Sequence, residues 1–239
     1  MTPGLADRAK RLLGPRAVTR IRCLVRGYGT PQWGNLRRTE PFSARYGFER
    51  GTPIDRYYLH RFLAGHAEAI TGDVLEVQTD GYTKRFGRGV RRAETFDIVP
   101  DFHPTYVCDL AQSAGVVPDS AYDCVLLPNT LQHLRELEAC LYHVRRVVRP
   151  GGVILASAAG FLPLTDDVPD YWRLSPDGWR IVLGRAWRGC DVVVTGHGNC
   201  LAAVAAQFGL AVEELTDAEL DWHDPRYPVL TTVVCRKSM

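Results

Sequence analysis

Apolar residues recur along this chain with two different spacings, and the places where one spacing gives way to the other mark out its elements. In residues 54–70, "IDRYYLHRFLAGHAEAI", they return every three to four positions, which predicts a helix with one buried face. The runs "DVLEV", "TFDIV", "TYVCDL" and "YDCVLLP" that follow are short and almost unbroken in their apolar character, as strands covered on both faces are. Helical spacing resumes in "LRELEACLYHVRRVV" and stops at Arg149-Pro150-Gly151-Gly152, after which "GVILASAA" reads as a strand. A last pair of strands, "DVVVTGH" and "VLTTVVCRK", encloses a helix predicted over residues 199–215, "NCLAAVAAQFGLAVEEL".

Seven strands alternating with helical segments predict an α/β fold: a Rossmann-like, mostly parallel seven-stranded sheet with helices on both faces. The first 53 residues differ. Residues 5–26 have helical spacing broken at Gly14-Pro15, which predicts two short helices. Residues 27–53 are aperiodic and rich in Gly, Pro and aromatics; an ordered lid would keep Trp33, Phe42, Tyr46 and Phe48 from water. The chain thus divides into a basic N-terminal cap, 1–53, with a helical and irregular character, and an α/β domain, 54–239.

Charge sharpens that division. The net charge is +2, yet residues 1–50 hold 11 Lys and Arg against 3 Asp and Glu, leaving 18 against 24 for the remainder. A basic arm suits nucleic acid, an anionic surface or a phosphorylated ligand, but the aromatics of a nucleic-acid groove are sparse there, and a solvated amphipathic helix is the simpler reading. Nucleic acid is therefore disfavoured as a partner. The seven cysteines form no C-x-x-C pair and lie mostly in apolar runs, so they read as reduced thiols, and no histidine spacing suggests a metal site. No apolar run approaches the roughly 20 residues that span a bilayer, and the start lacks a secretory h-region; the expected location is the cytoplasm.

In an open parallel sheet, ligands bind beyond the carboxyl ends of the strands. The polar residues at those ends are Glu76, Asp97, Asp109 and Asn129, with Asp101 an alternative to Asp97 in "FDIVPDF". The run "VPDSAYDCVLLPNTLQHL", followed by "VRRVVRPGGVIL", resembles the central part of class I S-adenosylmethionine-dependent methyltransferases. "RGTPIDRYYLHRFL", "DYWRLSP" and "HDPRYPVL" resemble a bacterial branch linked to glycan or natural-product pathways. The resemblance implies S-adenosylmethionine as cofactor, with Glu76 and Asn129 near its methionine part, Asp97 on the ribose hydroxyls, Asp109 on the adenine amino group and Leu110 against the adenine. The family's loop after the first strand carries three alternating glycines; here those positions hold Gln78, Asp80 and Tyr82. Glycine lets a backbone turn sharply beside a ligand, and a dinucleotide's pyrophosphate needs that more than this donor does, so the change argues against NAD, and Gln78 and Tyr82 are expected to supply side-chain contacts instead.

His133, four residues after Asn129, is the candidate general base, since a hydroxyl acceptor must lose a proton. The acceptor side is expected to involve Asp170, Tyr171 and Arg173 after the fifth strand, His197 and Asn199 after the sixth, and Tyr58, although Asn199 also suits a helix N-cap. The function expected is O-methylation of a sugar or other hydroxylated small molecule in a biosynthetic pathway, with homodimerisation left open. The rivals are a methyltransferase-fold protein with a binding, scaffold or non-methylating role, and a nucleic-acid methyltransferase. Against the latter, Pro128-Asn129-Thr130-Leu131 stands where amino-group enzymes of that kind carry N/D-P-P-Y.

Overall fold

The computed structural model describes residues 14–29 and 31–239. The chain divides into two compact units, Met1–Glu40 and Pro41–Met239. In the first, helix α1, Pro15–Val25, begins with proline at its first position, where the missing N–H costs nothing, and a 3-10 turn spans Gly34–Leu36. The second helix expected before Gly14 lies outside the described residues.

The larger unit is built on one sheet in the order β3-β2-β1-β4-β5-β7-β6. Strands β1 (Gly72–Val77), β2 (Val90–Asp97), β3 (Tyr106–Val107), β4 (Tyr122–Leu127) and β5 (Val148–Ala159) are parallel. β7 (Leu230–Arg236) runs antiparallel between β5 and β6 (Asp191–His197). This is the mostly parallel seven-stranded sheet that the pattern predicts. Its continuous apolar runs are explained by two covered faces: Val125 and Leu127 enter one core, while Cys124 and Leu126 enter the other. On the first face lie α4 (Leu137–Val147) and α5 (Pro176–Ala186), with Trp179, Leu183 and Trp187 fully buried. Over the second lie α2 (Ile54–Gly65) and α6 (Cys200–Gln207), α2 burying Ile54, Tyr58, Leu59, Phe62 and Leu63 along one stripe.

Several bounds differ from the pattern. The helix predicted over 199–215 ends at Gln207, because Gly209 takes φ +66° and a Cβ there would meet the Ser43 carbonyl oxygen at 2.3 Å. Residues 41–52 occupy that space: Phe42 N donates to Phe208 O (2.8 Å), and Val212 N donates to Thr52 O (2.7 Å). The N-terminal unit thus gives way to the body at Pro41, whereas the change in sequence pattern falls at Ile54. Three short elements escape the apolar pattern. They are α3 (Gly81–Phe86), α5, which Ser175 caps by accepting from Gly178 N, and α7 (Asp217–Asp221), which starts in a capping box of Thr216 and Glu219.

An irregularity near the start of β5, where its register against β4 shifts, explains the R-P-G-G signal. Gly151 has φ +78°, and a Cβ on Gly152 would meet Arg149 O and Asp123 O at 3.0 Å. Arg149 then reaches Asp73 Oδ2 (2.8 Å) and Asp123 Oδ2 (2.6 Å), clipping the amino ends of β1, β4 and β5 together. No helix among the described residues is long and apolar enough to cross a membrane.

Candidate functional site

The turn from β1 into α3 is rebuilt around a carboxylate. Glu76, 1% exposed, accepts from Tyr82 N (3.0 Å), Thr83 N (2.8 Å) and Thr83 Oγ1 (2.6 Å), satisfying the first N–H groups of α3. Burial pushes the Glu76 carboxyl up, against the pull of those bonds. Gln78 has φ +68°, a left-handed conformation that costs a residue with a Cβ roughly 1–2 kcal/mol. The glycine is gone, and its backbone shape has stayed.

Beside this turn lies a cavity of about 600 Å³, lined by Glu76, Gln78 and Asn129 from the strand ends, by Tyr82 from α3 and by Arg56 and His60 from α2. Asn129, at φ +48°, is held from three directions: its N–H donates to Ser157 Oγ (2.7 Å), its Oδ1 accepts from the same hydroxyl (3.1 Å), and its Nδ2 donates to Asp55 Oδ2 (2.7 Å). Asp55 is buried and also pairs with Arg56. Phe48 and Arg85 complete the wall, with His60 Nε2 3.3 Å from Arg85 Nη1. A guanidinium only donates, so that imidazole nitrogen accepts; burial, then Arg85 and Arg56, lowers the His60 pKa and favours the neutral ring.

Asp97 and Asp109 stand at neighbouring strand ends. Asp97 pairs across the ladder with Val107, two residues before Asp109, and Cys108 N donates to Asp97 O (2.8 Å). Asp97 Oδ1 accepts from Ile98 N (2.6 Å), and Asp109 Oδ1 accepts from Ala111 N (2.9 Å). Among the described residues, the Oδ2 of each makes no bond. Asp101 lies four residues past the end of β2 in an exposed loop, so Asp97 is the strand-end acid. Leu110 is buried in the core beside them.

His133 sits on a 3-10 turn, Leu131–His133, with Nδ1 3.0 Å from Pro169 O and Nε2 3.0 Å from Gln132 Nε2. The carbonyl can only accept, so Nδ1 carries the proton and the lone pair is on Nε2. The residues expected on the acceptor side do not converge on the first cavity. Arg173 donates to Gly160 O, Leu162 O and Pro163 O and pairs with Asp170 Oδ2 (2.6 Å), so the two brace their own loop. Tyr171 is half exposed, its N–H bonded to Gln132 O (2.8 Å). Asn199 caps α6 by accepting from Ala202 N, and its amide donates to Glu219 O and Trp222 O. Tyr58 and His197 line a separate cavity of about 410 Å³; Tyr58 donates to Leu220 O (3.0 Å), and His197 Nε2 is 2.7 Å from Thr232 Oγ1.

The sequence pattern does not single out Asp55, Arg56, His60 or Arg85, and Phe48 and Trp33, expected to be kept from water by a lid, are both about half exposed. The signal available was on α2: Arg56 and His60, four apart, share a helix stripe that the apolar face does not use. Among the described residues, no cluster of His, Cys, Asp and Glu could hold a metal ion.

Residues 72–156 match the methyltransferase-domain family. No curated protein matches the chain. Among solved structures, an S-adenosylmethionine-dependent methyltransferase from Mesorhizobium loti superposes with a TM-score of 0.53 at 13% identity, covering 77% of this chain and 100% of that one. A counterpart from Archaeoglobus fulgidus gives 0.51 at 15%, covering 77% and 93%.

Proposed function

From the match of residues 72–156 to the methyltransferase-domain family, we propose that the chain is a class I S-adenosylmethionine-dependent methyltransferase and that it methylates a hydroxyl oxygen of a small molecule, a sugar or other hydroxylated intermediate of a biosynthetic pathway. Bound S-adenosylmethionine supplies a methyl group already activated by its sulfonium. The observation that carries the site assignment is the free oxygen on each of Asp97 and Asp109, at neighbouring strand ends of the sheet whose next strand closes the 600 Å³ cavity. Two carboxylate acceptors suit the ribose diol and the adenine amino group, and Leu110 supplies apolar surface beside them. In the cavity, Asn129 and the Gln78 turn orient the methionine half, while Glu76 holds the turn in shape. His133 is assigned the proton of the acceptor hydroxyl: Nε2 takes it, in exchange for its bond from Gln132, while Nδ1–H stays on Pro169 O.

Thermal shift with S-adenosylhomocysteine tests this directly. At 100 times its Kd the ligand should add about 2.7 kcal/mol, raising Tm by roughly 5–10 °C for a domain of this size. Asp109→Ala should weaken binding at least tenfold, and His133→Gln should leave it unchanged. No shift at millimolar ligand would sink the enzyme assignment.

A further inference from the structure

The polar side chains expected to meet a sugar on the acceptor side are committed elsewhere. Arg173 and Asp170 brace their own loop, Asn199 caps a helix, and His197 is bonded to Thr232. What remains open there is mainly apolar. A second cavity, about 740 Å³, lies at the end of the sheet where β5 finishes and β7 starts, with Phe161, Leu162, Leu164, Leu174, Pro176 and Pro228 on its walls. Its charged rim is self-neutralised, because Arg180 pairs with Asp177 and Arg226 with Asp224. Phe161 and Leu164 stay 46% and 66% exposed, an apolar surface left wet at a concave site.

The cavity is tied to the proposed transfer site through one buried side chain. Gln132, 3% exposed, donates from Nε2 to Asn129 O (2.8 Å) and accepts at Oε1 from Ala159 N (3.2 Å). Asn129 lines the first cavity, and Gly160, the residue after Ala159, lines the second. Gln207 and His223 also line this second cavity, and among the described residues neither side chain makes a hydrogen bond.

We propose that the second cavity holds an apolar ring system of the acceptor, with Gln207 or His223 bonding an oxygen on it, so that the acceptor is an aromatic or polycyclic hydroxylated compound. This rests on the methyl-transfer reading for its purpose but not for its test. The probes are 2-naphthol, 2-methylnaphthalene and methyl α-glucopyranoside, titrated by ligand-observed NMR on the full chain, with S-adenosylhomocysteine binding measured in parallel. The expected result is submillimolar binding of 2-naphthol, at least fivefold weaker binding of 2-methylnaphthalene and none of the glucoside at 10 mM. Leu164→Asp and Phe161→Asp, both at exposed positions, should each weaken 2-naphthol at least tenfold and leave S-adenosylhomocysteine affinity within twofold. Absence of 2-naphthol binding, binding unmoved by both substitutions, or preference for the glucoside would overturn the proposal. Loss of S-adenosylhomocysteine binding alone counts against methyl transfer and leaves the cavity result standing.

Discussion

Gln78 carries the most telling conflict between a side chain and its backbone. It occupies the first glycine position of the family's loop and keeps a left-handed φ of +68°, while its N–H still donates to Phe96 O (2.8 Å). Gln78→Gly should therefore relieve more strain than it adds in unfolded-state entropy, a net gain on the order of 0.5–1 kcal/mol. A urea midpoint that rises, with S-adenosylhomocysteine affinity within threefold, is the expected outcome; a lower midpoint would show that the Gln78 side chain contributes more than its backbone costs. Glu76 illustrates a different lesson. Its charge was legible as a strand-end acid, but its three bonds to Tyr82 and Thr83 are not, because they depend on α3 starting five residues later. His197 is a third case: burial lowers its pKa to about 4, so it serves the fold as a neutral ring bonded to Thr232.

Among the elements, the strands were easier to read than the short helices. Strands β1 and β4 announce themselves because both faces are covered, so adjacent positions such as Val74-Leu75 and Cys124–Leu127 are apolar together. The apolar pattern places β2 too late along the chain, because Arg91 and Arg92, right after its first residue Val90, are exposed and charged. Those arginines belong to the clip at the amino edge of the sheet, where Asp73 meets Arg91, Arg92 and Arg149. Hydrogen bonds from Arg91 and then Arg149 hold the Asp73 pKa down to about 2, from an ordinary 3.8. A depressed carboxylate stabilises the fold above its unfolded pKa and loses that contribution as pH falls toward the folded value. Asp73→Asn should thus lower the urea midpoint at pH 7, and the gap from the unaltered chain should narrow between pH 4 and pH 2.5. A gap that stays constant over that range would remove the clip from the account of stability.

For the whole molecule, the boundary between cap and body is a matter of packing. Phe42 lies 5.9 Å from the Phe208 ring, Ser43 Oγ accepts from Gly47 N (2.9 Å), and Thr52 makes two bonds to the Glu213 carboxylate. A chain beginning at Pro41 should fold with a Tm within about 3 °C of the full chain and bind S-adenosylhomocysteine within threefold. One beginning at Ile54 loses these contacts and exposes the groove around Gly209, and its Tm should drop by roughly 10 °C, as a loss of about 3–4 kcal/mol implies. Equal stability of the two truncations would return the boundary to residue 53.

By itself the sequence determined the sheet, the order in which strands and helices alternate, and the four polar residues at the strand ends. Those features are local, since periodicity and the chemistry of a single position carry them. Only the tertiary structure decided which polar groups remain free. Among the described residues, Asp97 and Asp109 keep an unbonded oxygen, while Asp170, Arg173, Asn199 and His197 are consumed by partners 3 to 35 residues away. It also brought Asp55, Arg56 and His60 of α2 to the cavity beside Asn129, more than 60 residues along the chain. A hydrogen bond is spent once, and whether a side chain has spent it depends on what the folded chain brings within reach.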